Sequence, residues 1–582
     1  MPDIDVPPSP ILAAVDLDTP SEPAIDQTKT PYYKEICRVL KDVFQLDRFR
    51  HHQLEAMNAT MDKQDVFVLM PTGGGKSLCY QLPAVCHSGK TDGVTIVVSP
   101  LIALMVDQVT HLKAKGVDAE LFNSDQDSDI SRVVRQRLLG AGRKPRLIYV
   151  TPEKLAHSND MQNILRKLYQ DGFLARFVID EAHTISTWGR DFRDAYAQLK
   201  RLRIDYPETP IMALTATANA QIKQDIMTVL DIPKCLCLEQ SFNRPNLDYE
   251  IRKKGKTVVS DIANYIKENY KDKTGIVYCF SRNKCEEVAA QLRNNHGIKA
   301  KHYHAQLSPS DKQRTQQDWQ SGKCQVIVAT IAFGMGIDKA DVRFVIHHQL
   351  PKTMDGYYQE TGRAGRDGNP ASCILYFSFH DTRFMFKLIE ENKDQCAQDE
   401  VKRQIEGVLE VARYCFNVTD CRRKLILNHF SQSFDPKDCH KKCDTCRADF
   451  QVENEDMTVP TQQLLELVDS INKNHVGPGV VSKTTCMDVF RGSRAKGITD
   501  KGYDSLPHFG AGKDIQRDRT DRLFDELLSR GALKERLVGN MQGFNNANVE
   551  VSNLMHQACI RISHALCLIS YPKRRTHTSM VG

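Results

Sequence analysis

One stretch limits the possible folds more than any other: VFVLMPTGGGKS, residues 66–77, followed at once by LCYQLPAV. Four apolar residues ending in a glycine-rich turn and a helix-like segment read as a buried strand that hands the chain to a helix N-terminus. Gly73, Gly74 and Gly75 let the backbone turn tightly and aim N–H groups inward, a geometry that suits phosphate oxygens at a helix start. Lys76 then adds a point charge on outer phosphates and Ser77 a hydroxyl for Mg²⁺, with Thr72 beside them. Met70 stands where the general phosphate loop has glycine, so the loop belongs to a subtype.

The rest of the chain repeats the strand-to-helix theme. Apolar runs at 66–70, 94–98, 147–150, 177–179 and 211–214 alternate with helix-patterned stretches, the signature of a parallel sheet covered by helices. A second series begins at GIVYCFS (275–281) and continues through QVIVATIAFGMGID (325–338) and RFVIHHQLP (343–351). The expected organisation over 582 residues is a Pro- and Asp-rich disordered tail (1–33), two tandem α/β domains (34–240 and 241–382), a charged helical segment ending in cysteines (383–455), a smaller basic region (456–550) and a distinct tail (551–582). The net charge of +6 is compatible with a polyanionic partner without requiring one. No run approaches the roughly 20 apolar residues of a bilayer span. With no secretory signal, the 18 cysteines are expected as reduced thiols of a soluble intracellular protein.

Two further strings carry chemistry. FVIDEAH (177–183) sets Asp180 and Glu181 at the end of an apolar strand, where doubly wound sheets place ligand groups. Asp180 is the candidate for metal contact, Glu181 for the base that polarises a water toward the γ-phosphate. QETGRAGRDG (359–368) offers Arg363 and Arg366 among small residues, and a guanidinium fork matches phosphate geometry. Since these arginines lie in the second domain, they reach a phosphate in the first only if the domains face one another, which would couple hydrolysis to closure.

The ordered set MPTGGGKS, VVSPLIALMVDQV, IYVTPEKL, VIDEAHTISTWGRDFR, ALTATA, VYCFSRNKCEEVA, VIVATIAFGMGIDK and YYQETGRAGRDG resembles the RecQ family of the second helicase superfamily, most closely its Bloom-syndrome-type members, from about 34 to 540. The resemblance implies two RecA-like parallel-sheet domains, a helical zinc-binding subdomain and a winged helix. It implies ATP-driven 3′ to 5′ movement on single-stranded DNA, separating duplex and branched DNA in repair, recombination and replication, in the nucleus. Repair proteins would be partners through the N-terminal tail. Gln359 joins the two arginines in the implied catalytic set. FQLDRFRHHQ (44–53) resembles the adenine-reading motif, with Arg50 and Gln53 on the base edge and Leu46 packed against it; Gln45 replaces the family's glycine there. STWGRDFR resembles the aromatic-rich coupling loop, assigning DNA contacts to Trp188, Phe192 and Arg193, with Arg190 in place of the usual histidine. Thr215 and Thr217 resemble the motif linking nucleotide state to closure, Asp338 falls near the ribose or the cleft, and Ser281 and Asn283 near the DNA backbone.

Cys421, Cys439, Cys443 and Cys446 form C-x17-C-x3-C-x2-C, a thiolate set suited to structural Zn²⁺. Cys415 and His440 compete as ligands on spacing alone, and the resemblance favours the four cysteines. From 456 to 550, TQQLLELVDSINK, TTCMDVFRGS and RTDRLFDELLSRGALKERLV read as helices before a short β wing, with Lys483, Arg491, Arg494, Lys496 and Lys513 as phosphate contacts. The last residues depart from the family pattern, which suggests an alternative or truncated end and an incomplete wing; PKRR (572–575) is a weak nuclear import patch.

Overall fold

The computed structural model describes residues 26–123, 128–187, 198–333, 339–393, 398–448, 450–474, 481–530, 532–539, 545–551 and 568–574. Its centre is two parallel sheets. The first has β1 (Val66–Leu69), β2 (Val94–Val98), β3 (Ala119–Leu121), β4 (Leu147–Val150), β5 (Leu174–Ile179), β6 (Ile211–Thr215) and β7 (Leu236–Glu239), in the order β3-β4-β2-β5-β6-β1-β7. The second has β8 (Leu247–Lys253), β9 (Gly275–Tyr278), β10 (Ala300–Tyr303), β11 (Val326–Ala329), β12 (Phe344–His347) and β13 (Ala371–Phe377), in the order β10-β11-β9-β12-β13-β8. Strands buried on both faces need apolar residues at every position, and β1, β2, β4, β5, β6, β11 and β12 are buried throughout. Both sheets present their carboxyl ends as loops that carry the motifs.

A third body is fixed to the edge of the second sheet. The helices Gln398–Phe416 and Arg422–His429 lead into a cysteine knuckle. Its Cys443 forms a parallel bridge with Tyr249 of β8, and Asp444 accepts from the Ile251 amide at 3.0 Å. Phe430 stacks on Phe242, centroids 4.3 Å apart and planes 14° from parallel. Buried Arg423 donates to Asn243 and to the carbonyls of Arg244 and Leu247 at 2.6–2.8 Å.

The fourth body packs the helices Thr458–Asn474, Lys483–Phe490 and Arg517–Ser529 around Leu464, Phe490, Phe524 and Leu527. Its C-terminal helix is shorter than the sequence pattern predicts: LKERLV belongs to β15 (Leu533–Gly539), paired antiparallel with β16 (Asn545–Val551). From the distinct tail, β17 (Leu568–Arg574) pairs antiparallel with β14 (Phe450–Asp456). At the other end, Tyr32, within the expected N-terminal tail, is buried and its hydroxyl donates to Asp62 at 3.0 Å. Among the described residues, no helix is long and apolar enough to cross a membrane, and no disulfide joins the cysteines.

Candidate active site

The phosphate loop runs from Met70 to Ser77, between β1 and the helix Leu78–Val85. Gly73 and Gly75 have φ of +83° and +87°, values that favour glycine. Each glycine also makes room for a specific neighbour. A Cβ on Gly75 would lie 2.4 Å from Gln53 Nε2, and one on Gly73 3.1 Å from Arg366 Cγ. Lys76 Nζ donates to the Met70 carbonyl at 3.1 Å, curling over the loop. Three glycines at a helix N-terminus with a lysine and a hydroxyl form a donor set that fits a nucleotide triphosphate and its Mg²⁺.

Asp180 and Glu181 follow β5 at the same carboxyl-end rim. Asp180 is 7% exposed, and burial together with the adjacent Glu181 pushes its carboxyl up, while Lys76 pulls the other way. Burial pushes the Lys76 ammonium down, opposed by the two carboxylates. A divalent cation beside Asp180 would relieve the strain on its carboxyl, and phosphate oxygens beside Lys76 would relieve that on the ammonium, so the pair suits a metal-bound phosphate chain. Glu181 holds φ of +50°, and its buried Oε2 accepts no hydrogen bond among the described residues. It lies 3.4 Å from His183 Nδ1.

From His183 a polar chain crosses to the second sheet. His183 Nδ1 is 2.9 Å from Thr215 Oγ1, Thr215 Oγ1 donates to the Thr217 carbonyl at 3.0 Å, and Gln359 Nε2 donates to Thr217 Oγ1 at 3.2 Å. Arg363 is buried beside Tyr278. Arg366 lies against Gly73 and close enough to Lys76 to push its pKa down. Arg366 therefore faces the loop that carries Lys76, while Arg363 sits against Tyr278 of the second sheet.

Arg244, which the motif reading missed, holds this arrangement. Its guanidinium donates to the carbonyls of Thr72 and Gly362 at 3.2 Å each, of Ala364 at 2.9 Å and of Gly365 at 3.0 Å. One side chain thus ties the phosphate loop to the arginine loop. Its only sequence signal is an arginine between the two α/β patterns.

The adenine candidates take a different form from that expected. Gln53 is buried, with its amide committed to the Arg50 amide (2.7 Å) and the Gly75 carbonyl (3.0 Å). The Arg50 guanidinium donates to the Gly73 carbonyl. In this state both brace the loop, and a base edge would have to exchange these bonds. Leu46 is 43% exposed at a surface cleft lined by residues 46–51. Gln45 has φ of +57°, the conformation glycine would adopt without strain.

Of the DNA candidates, Ser281 caps the helix Arg282–Asn294, its Oγ accepting from the Lys284 amide at 3.3 Å, and Asn283 is exposed. Trp188, Phe192, Arg193 and Asp338 lie outside the described residues. In the fourth body, Lys483 is paired with Asp525 and Arg491 donates to the Ile515 carbonyl at 2.6 Å, so both serve the domain itself. Arg494, Lys496 and Lys513 are exposed.

The four cysteines converge, their sulfurs all within 4.8 Å of one another. Cys439 and Cys443 are 3.7 Å apart, Cys443 and Cys421 3.9 Å, against about 3.8 Å for two thiolates on a tetrahedral Zn²⁺ with 2.3 Å bonds. The set fits zinc. Cys415 and His440 fall outside this cluster.

Comparison with known proteins agrees with this arrangement segment by segment. Residues 50–225 match the family DEAD/DEAH box helicase, 257–368 the helicase conserved C-terminal domain, 379–447 the RecQ zinc-binding family and 451–557 the RQC domain. The chain is 46% identical over 523 residues to ATP-dependent helicase SGS1 of Saccharomyces cerevisiae, covering 90% of this chain and 36% of that protein. It is 47% identical to ATP-dependent DNA helicase hus2/rqh1 of Schizosaccharomyces pombe, covering 89% of this chain and 38% of that protein. It thus spans little more than a third of these two relatives. Against ATP-dependent DNA helicase Q1 of Rattus norvegicus it is 42% identical over 460 residues, 78% of this chain and 72% of that protein. A crystal structure of the helicase MrfA bound to DNA shares its fold with a TM-score of 0.50 at 17% identity, over 65% of this chain and 57% of that one. On its four matched segments and its identity to a relative it spans by nearly three quarters, the chain belongs to the RecQ family of helicases.

Proposed function

We propose that the chain is an ATP-dependent DNA helicase that moves 3′ to 5′ on single-stranded DNA and separates duplex or branched DNA in repair, recombination and replication, in the nucleus. The observation that carries it is the seating of Arg366 from the second sheet against Gly73 of the phosphate loop, with Arg244 bonded to both loops. Hydrolysis sensed across two lobes is what a translocating motor needs.

Lys76 would hold the outer phosphates, with the backbone of Thr72, Gly73, Gly74 and Gly75 around them. Ser77 and Asp180 would hold Mg²⁺. Glu181, with its free Oε2 and nearby His183, takes a proton from the attacking water. Gln359, Arg363 and Arg366 orient and neutralise charge from the second lobe. Bound Mg²⁺–ATP supplies the phosphoanhydride whose cleavage powers movement. Leu46, Arg50 and Gln53 would read the base, Asp338 would serve the ribose or the cleft, and Trp188, Phe192, Arg193, Ser281 and Asn283 would follow the strand. The N-terminal tail takes repair proteins.

ATP hydrolysis measured alone, with single-stranded DNA and with single-stranded RNA, followed by unwinding of a 3′-tailed duplex, tests this reading. DNA stimulation is expected, and Lys76→Ala should abolish it while DNA binding persists. Equal stimulation by RNA, or a Lys76→Ala chain that still hydrolyses ATP, would contradict it.

A further inference from the structure

Away from the nucleotide cleft and the cysteine cluster, the described residues hold one more convergence of metal-ligating side chains: Glu286, His302 and His304, whose ligand atoms all lie within 4.8 Å of one another. His302 lies in β10, an edge strand of the second sheet, and His304 is the first residue past its end. The two rings stand together, centroids 5.4 Å apart and 9° from parallel. The third comes from the helix Arg282–Asn294, with Glu286 Oε1 3.0 Å from His304 Nε2.

A plain helix-to-strand hydrogen bond accounts for Glu286 and His304. It leaves His302 unexplained. The His304 ring is fixed, its side chain 6% exposed, whereas the Glu286 side chain is 52% exposed and can swing. Nitrogen and oxygen ligands on a zinc-like ion at 2.0–2.2 Å stand roughly 3.3 Å apart, so the carboxylate need move by only about 1 Å. Two imidazoles favour a first-row transition ion, since Mg²⁺ and Ca²⁺ select oxygen donors.

We propose that Glu286, His302 and His304 form a second metal site, distinct from the four-cysteine cluster, for a divalent transition ion with three protein ligands and solvent in the remaining positions. The ligands belong to the end of an edge strand, the residue after it and the helix Arg282–Asn294, so the site joins elements of one domain and takes no part in nucleotide chemistry.

The test uses the full chain, free of any histidine tag and carrying its cysteine-bound zinc. Titration with Co²⁺, and with Zn²⁺ against a competing chelator, should reveal one additional ion per chain. Its Co²⁺ spectrum should show weak visible bands without a thiolate charge-transfer band. His302→Ala should weaken that binding by roughly 100-fold and Glu286→Gln by about 10-fold, with the cysteine-bound zinc, the metal-free melting temperature and the basal ATPase unchanged. Absence of a second ion, or an ion held equally well by His302→Ala, overturns the proposal.

Discussion

The second sheet makes two joints, and they differ in kind. Toward the phosphate loop the connection is a set of hydrogen bonds to backbone carbonyls and threonine hydroxyls, through Arg244 and Gln359. Toward the cysteine knuckle it is a stacked pair of phenylalanines, a buried arginine with three acceptors and a main-chain bridge to β8. Hydrogen bonds exchanged for water cost little net free energy, on the order of 1 kcal/mol each. Buried aromatic surface and desolvated charges cannot be parted so cheaply. The first joint suits repeated opening; the second suits permanence.

Substitutions at each joint sharpen that contrast. The largest effect is expected at the movable one. Arg366→Ala should lower the DNA-stimulated kcat by about 10³-fold while leaving the melting temperature within a degree or two. A melting point that fell with activity would erase the distinction. Arg423→Ala at the fixed joint should do the reverse, removing about 3 kcal/mol by stranding buried carbonyls. Chemical denaturation measures it, and a loss below 1 kcal/mol would argue against a welded interface.

The fixed joint also carries a pH signature. His429 bonds Glu410 at 2.6 Å and Asp355 at 3.1 Å. Burial opposes its charge, but the hydrogen bonds to those two carboxylates prevail and raise its pKa to about 10. A histidine pKa raised by folding contributes stability that is full below the unfolded value near 6.5 and is lost as pH rises through the folded value. His429→Gln should therefore cost roughly 2 kcal/mol at pH 6 and much less at pH 10. A gap in melting temperature that stays constant across this range would show that the imidazolium is not the stabilising species. The smallest effect belongs to the loop before the nucleotide cleft. Gln45→Gly should stabilise by about 0.5–1 kcal/mol, relieving the left-handed backbone, and thermal melting would detect a change of the wrong sign.

The sequence exposed interior strands better than edges. The runs at 66–70, 94–98, 147–150, 177–179 and 211–214 were legible because a strand with neighbours and helices on both faces must be apolar throughout. AEL, LCLE, AKHY and LDYEIRK were not, and these are β3, β7, β10 and β8, the edges of the two sheets. An edge strand is partly wetted, so its residues mix polarity and lose the pattern. The interior β13 went unread although CILYF carries the same apolar run. LKERLV misled for a related reason: mixed polarity fits a helix face as well as a wing strand, and only pairing with β16 decides.

The same division runs through the site. By itself the sequence determined the phosphate loop, the acidic pair, the arginine loop and the C-x3-C-x2-C part of the cysteine cluster, because each requires particular residue types at short fixed spacing. Tertiary structure alone decided that Arg244 bonds both loops, that Gln53 is spent on the Gly75 carbonyl, that Ser281 caps a helix and that Arg423 anchors the zinc region. A side chain's partner is set by which distant backbone atoms the sheets bring within about 3 Å of it, and in no single stretch of sequence is that distance written.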